Sequence, residues 1–185
     1  MRDWHRQGDR VTATFAQQEA AVLRGLVRHL EDLLSARADE APQDELAELT
    51  GMRAGPTEAP EDPVLSRLLP DFHRLHPDQP SEEDQNSAAA LRSLHEPQLI
   101  EEKLGVAEVV LDTLPAGGGE VDLDLEQADA WLSALNDVRL ALGTVLDIGE
   151  ETSDEVTEDH PQASHFGVYH WLTYVQEGLV QAVSG

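Results

Sequence analysis

The chain reads as a mainly α protein: a four- to five-helix bundle carrying a small antiparallel β-sheet. Three observations predict this. Long stretches repeat apolar residues every three to four positions, the period of a helix. Two short stretches alternate apolar and polar residues instead, the period of a strand. With 185 residues and 40% hydrophobic content, the chain can build one packed core but not comfortably two. One α-rich domain across residues 1–185 is therefore expected.

Residues 3–15 alternate and turn at Gln7-Gly8-Asp9, with Val11, Ala13 and Phe15 on one side, which predicts a β-hairpin. A helix should follow from about Ala16 to Ser35, with an apolar stripe of Val22, Leu23, Leu26, Leu30, Leu33 and Leu34; Arg24, Arg28 and Glu31 face away. Residues 36–61 are rich in Ala, Asp, Glu and Pro and read as a mobile connector. Asp62-Pro63 is a start signal, a capping residue before proline at the first helical position, for a short helix over Val64–Leu69. Ser81, with Asp84 three residues on, opens a helical region to about Leu114, and Pro97 predicts a kink or break within it.

Gly117-Gly118-Gly119 is a flexible turn lacking the GxxxxGK[ST] order of a phosphate loop. Val121, Leu123 and Leu125 then alternate, so Glu120–Asp124 should form a third strand able to pair with the hairpin. Asp124 and Gln127 make a capping box for a helix to about Asp147. Residues 149–162 are an acidic loop, and a last helix over about Ser164–Val183 is apolar on nearly every side. Such a helix suits a bundle centre or an oligomer interface.

Charge narrows the function classes. Thirty-seven acidic residues face twelve basic ones, net −25. This opposes direct nucleic-acid binding, which draws its affinity from Lys and Arg on phosphates, and attraction to an anionic membrane. A basic protein partner fits better, and added salt should relieve self-repulsion. The absence of cysteine excludes disulfides, thiolate metal sites and thiol switches within this chain. No apolar run approaches a membrane span and no apolar leader region opens the chain, so a cytoplasmic location is expected. Eleven arginines against one lysine fit a GC-rich bacterial genome, and a salt-adapted host would also explain the acidity.

After Lys103, Arg139 is the one Lys or Arg in the remainder of the sequence. The helical period sets it near the middle of a face formed by Ala128, Trp131, Leu132, Leu135, Val138, Leu142, Val145 and Leu146. A guanidinium aimed at a core needs a carboxylate or several carbonyls. Asp112, Glu108 and Glu177, on neighbouring helices, are the expected partners. An internal ion pair and an anchor for a ligand or partner both remain open.

Other candidates are weaker. Arg2, Arg6 and Arg10 with Trp4 and His5 form a basic patch on the hairpin, either a solvated surface or a contact for an acidic partner. Phe166, Trp171 and Tyr174 are either core residues or anchors of a dimer or partner interface. His73 and His76, and His160, His165 and His170, lack the spacing of a zinc site, and the acidic loop lacks the order of a calcium loop. No metal or cofactor is expected. No GxSxG elbow or comparable motif supports catalysis, and the chain reads as a non-enzyme.

Several segments together resemble a known family: DPVLSRLLPDF (62–72), VVLDTLP (109–115), VDLDLEQADAWLSALNDVRLALGT (121–144) and VYHWLTYVQEGLVQAV (168–183), with W…GDRVTATF…EAAVLRGLV near the N-terminus. The chain is similar to an actinobacterial family long catalogued as a domain of unknown function. Its members are encoded near the adaptor of the Clp protease, and it is also called the actinomycete oxidative-stress regulator (AosR-like) family. The resemblance spans all but the connector and the acidic loop. It implies a mostly helical cytoplasmic regulator of stress and sulfur-assimilation genes, working with a sigma factor of the extracytoplasmic-function type. The role expected first is therefore an accessory regulator acting by protein contact with a sigma factor or RNA polymerase. Where such regulation uses a cysteine switch, this chain departs, having no cysteine. Two other roles stay open: a Clp-linked adaptor or dimeric module, and a small-anion-binding domain built on Arg139.

Overall fold

The computed structural model describes residues 1–41, 54–72, 81–149 and 162–185. Among these, the elements in chain order are β1 (Arg2–Gln7), β2 (Arg10–Phe15), α1 (Gln17–Asp39), α2 (Pro63–Leu68), α3 (Glu82–Thr113), β3 (Gly119–Asp124), α4 (Leu125–Val145) and α5 (Ala163–Ser184). The fold is mainly helical, with a three-stranded antiparallel sheet in the order β1-β2-β3, as the apolar periods predict. The chain divides into two compact units, one of residues 1–30 and 105–185, the other of residues 31–104.

In the first unit the sheet supplies one wall of the core. Val11 pairs with Leu123 and Ala13 with Val121, so the apolar sides of β2 and β3 share a face. Trp4, Phe15 and Trp131 meet there edge to face or tilted, with ring centroids 5.6–5.9 Å apart. The Trp131 Nε1–H donates to Thr113 Oγ1 at 2.8 Å, and the Trp4 Nε1–H to the Val175 carbonyl at 3.1 Å. Both indoles therefore bury their rings without orphaning their donors. The glycine turn is tight: Gly118 has φ +74°, and a Cβ there would come within 2.7 Å of the Gln17 nitrogen. Only glycine fits that approach. The Asp124–Gln127 capping box forms as its sequence predicts.

Arg24 is half-buried and does not point away from the protein. Its Nη1 donates to the carbonyls of Leu111 and Leu114, satisfying the C-terminal end of α3. Val22, expected in the apolar stripe, is 40% exposed. The stripe of α1 instead steps through Ala20, Leu23, Val27, Leu30 and Leu34 to Arg37, and the helix runs past Ser35 to Asp39.

In the second unit, α2 starts where Asp62-Pro63 predicts, with Asp62 accepting from the Val64 and Leu65 amides at 2.8 and 3.0 Å. Pro97, expected to kink or break the helix, does not break α3, which is continuous from Glu82 to Thr113. Proline removes the donor that the Ser93 carbonyl would use, and the Gly55 amide replaces it at 2.7 Å. Of the expected connector (36–61), residues 36–39 belong instead to the last turn of α1, and residues 42–53, like residues 150–161 of the expected acidic loop (149–162), lie outside the described residues.

Candidate functional site

Arg139 sits on the flank of the buried stripe of α4, not at its centre. That stripe is Ala128, Trp131, Ala134, Leu135, Val138, Leu142 and Leu146, while Val145 is 62% exposed. From the flank the half-buried side chain reaches α5. Its Nη1 donates to Gln176 Oε1 at 2.6 Å, and its guanidinium carbon lies 5.4 Å from the centroid of Tyr169. Gln176 and Tyr169 are seven residues apart, two turns along one face of α5. The expected carboxylate does not arrive: Glu108, Asp112 and Glu177 are all exposed, and hydrated carboxylates have no reason to bend inward. Arg139 Nε is buried without a hydrogen-bond partner. A neutral amide and a ring face hold this cation.

The three candidate interface residues of α5 separate. Phe166 is buried, Trp171 is half-buried with Nε1 buried and unpartnered, and Tyr174 is 51% exposed. Tyr174 donates to Asp3 Oδ1, and that carboxylate raises the phenol above its ordinary pKa by stabilising the protonated form. Trp171 lines an open groove of about 260 Å³. Gln18, Glu19 and Val22 of α1 form one wall; Ser164, Gly167, Val168 and Trp171 of α5 form the other.

The basic patch on the hairpin does not assemble as expected. Trp4 is a core residue, 6% exposed, because its side of β1 faces α4 and α5. Arg6 and Arg10 remain exposed but are engaged: Arg6 with the Gly8 and Val183 carbonyls, Arg10 with Asp122 Oδ1 at 2.9 Å. Asp122 also holds the Arg10 guanidinium above its ordinary pKa. The backbone of Arg2 pairs with Thr14.

The second unit holds a charge network that the sequence reading missed. Glu96 is wholly buried between Arg37 (4% exposed) and Arg92 (2%). Arg37 Nε donates to Glu96 Oε1 at 2.7 Å and Arg92 Nη1 to Glu96 Oε2. Arg37 also reaches Glu40 and the Glu58 carbonyl, and Arg92 reaches Asp71 and the Leu69 carbonyl. Burial disfavours the Arg37 cation, but its bonds to Glu96 and Glu40 outweigh that and raise its pKa. One signal was present. Arg37 continues the three-and-four stepping of α1, and Arg92 and Glu96 stand at four-residue spacing before Ile100, all on core positions. Both Glu96 oxygens and five of the six guanidinium nitrogens are hydrogen-bonded within the network, the pattern of a structural joint.

Among the described residues no three His, Cys, Asp or Glu side chains stand close enough to hold a metal ion. His73, His76 and His160 lie outside those residues. No helix among the described residues is long and apolar enough to cross a membrane.

The chain matches the model of a family described as a domain of unknown function (DUF2017) over residues 1–183. It is 45% identical to the oxidative stress regulator AosR of Mycobacterium tuberculosis, covering 97% of this chain and 85% of that protein. The same figures hold for AosR of Mycobacterium bovis. A putative oxidative stress regulator AosR of Mycobacterium leprae is 43% identical, covering 99% of this chain and 88% of its own. No solved structure matches the chain.

Proposed function

The chain belongs to the DUF2017 family, and on that basis we propose that it regulates an oxidative-stress response through protein–protein contact. The observation that carries this reading is the 45% identity to AosR over 97% of the chain. The finer reading is that the contact is with a sigma factor or RNA polymerase. Net charge −25 supports a protein target over DNA, since the molecule repels phosphates. The α5 helix supports it too: among 22 residues Glu177 is its one charged side chain, and it carries Trp171 and Tyr174. Interface cores are depleted of charge and enriched in aromatics.

The mechanism is binding alone, without catalysis. Oxidant cannot act through a thiol of this chain, because there is none. A stress signal therefore needs a route other than a thiol of this chain, such as its partner or its own abundance. Affinity purification of the full chain from its host, with and without oxidant, tests the reading. Stoichiometric recovery of a sigma factor or polymerase supports it; recovery of Clp components alone, or of the chain alone, overturns it.

A further inference from the structure

We infer that the groove between α1 and α5 seats one apolar side chain of a basic polypeptide segment. The inference rests on the protein-contact reading above and specifies the chemistry of the contact. At about 260 Å³ the groove lies below the 300–1,000 Å³ range of sites that enclose metabolites or cofactors, and it is the size for a large aliphatic or aromatic side chain. Its walls are apolar where they face each other. Val22 is 40% exposed, off the buried stripe of α1, and Val168 and the ring of Trp171 line the other wall. Gly167 leaves the space between them open: a Cβ there would meet no atom within 4 Å.

Charge chooses the occupant. The rim offers the neutral groups Gln18 and Ser164. Its one carboxylate, Glu19, is already taken by the Met1 ammonium and the Ala16 amide. The groove itself therefore contributes apolar contact, while selection comes from the net charge of the whole chain, −25. That field attracts a segment flanked by Lys and Arg and repels nucleic acid, anionic membranes and acidic proteins. A second copy of this chain carries the same net charge and is repelled as a whole.

The test uses the full chain and three short fluorescent helical peptides: Lys with Leu at i, i+3, i+4 and i+7, the same peptide with Leu replaced by Ser, and the same with Lys replaced by Glu. Fluorescence anisotropy should show binding of the Lys/Leu peptide and neither control. Gly167→Leu fills the groove from an exposed helical position and should weaken that binding about tenfold or more, the scale of losing one buried anchor. Val22→Ser, on the opposite wall, should weaken it severalfold and covers the case in which Gly167→Leu fails to fold. Equal binding of either control peptide overturns the inference, as does undiminished binding by both folded variants. Self-association in sedimentation that either variant abolishes also overturns it, because the occupant is then a second copy. Capture of a sigma factor from the host that survives Gly167→Leu would keep the regulator reading and end the groove.

Discussion

Gly55 lies against the ring of Pro97, and each lacks the atom that would keep them apart or make the contact unnecessary. A Cβ on Gly55 would come 2.9 Å from both Cδ and Cγ of Pro97. Pro97 has no N–H for the Ser93 carbonyl, so that carbonyl accepts from Gly55 instead, while Ser93 Oγ donates back to the Gly55 carbonyl at 2.9 Å. The backbone at Gly55 thus supplies the hydrogen bond missing from the ladder of α3. Gly55→Ala should destabilise the protein by about 1–3 kcal/mol through overpacking. In urea unfolding, the double variant Gly55→Ala with Pro97→Ala should be less destabilised than the sum of its parts, since the shortened residue 97 removes the clash.

Glu96 is the shared acceptor of two buried guanidinium groups, so losing it alone strands both. Glu96→Ala should cost about 3–5 kcal/mol, whereas replacing Arg37, Arg92 and Glu96 together by apolar residues of similar volume should cost far less. Chemical denaturation of the two variants decides it; equal losses would contradict the description of the network as a structural joint.

Arg139 has no carboxylate among the described residues and carries one unsatisfied Nε–H. Arg139→Met keeps the stem packing and relieves that donor, losing the bond to Gln176 and the contact with Tyr169. The net change should be within about 1 kcal/mol. A loss above about 3 kcal/mol in thermal or urea unfolding would show the guanidinium to be a central structural support.

Glu19 titrates low. Burial pushes its carboxyl up, but bonds from the Met1 ammonium and the Ala16 amide outweigh it and lower the pKa below the ordinary 4.5. A depressed carboxylate contributes stability that is present above its unfolded pKa and lost as pH falls through its folded one. Wild type should therefore lose stability on acidification below about pH 4.5 more steeply than Glu19→Gln, measured as the urea midpoint against pH.

Tyr174 is one of two tyrosines, and its bond to Asp3 raises its pKa. Ultraviolet titration should show a phenol ionising above the ordinary value near 10. Asp3→Asn should bring that transition down, and Tyr174→Phe should remove it.

The apolar periods alone specify the element order, because burial demands matching repeats: alternation for β1, β2 and β3, three-and-four spacing for the helices. Local chemistry also specifies the starts of α2 and α4, since Asp62-Pro63 and Asp124–Gln127 satisfy helix ends within a few residues. The segments that resemble the DUF2017 family likewise stand in the chain as written, and the missing cysteine rules out a thiol switch before any folding is considered. What required three dimensions was the partner of each charged side chain. Arg139 finds Gln176 and Tyr169 where three carboxylates were expected, Trp4 turns inward, and Glu96 joins two arginines from different helices. The carbonyl that Pro97 leaves without a donor is satisfied by Gly55, forty-two positions earlier in the chain. Periodicity describes one element at a time; pairing of charges and rescue of a broken ladder depend on which elements become neighbours, and that is settled by packing.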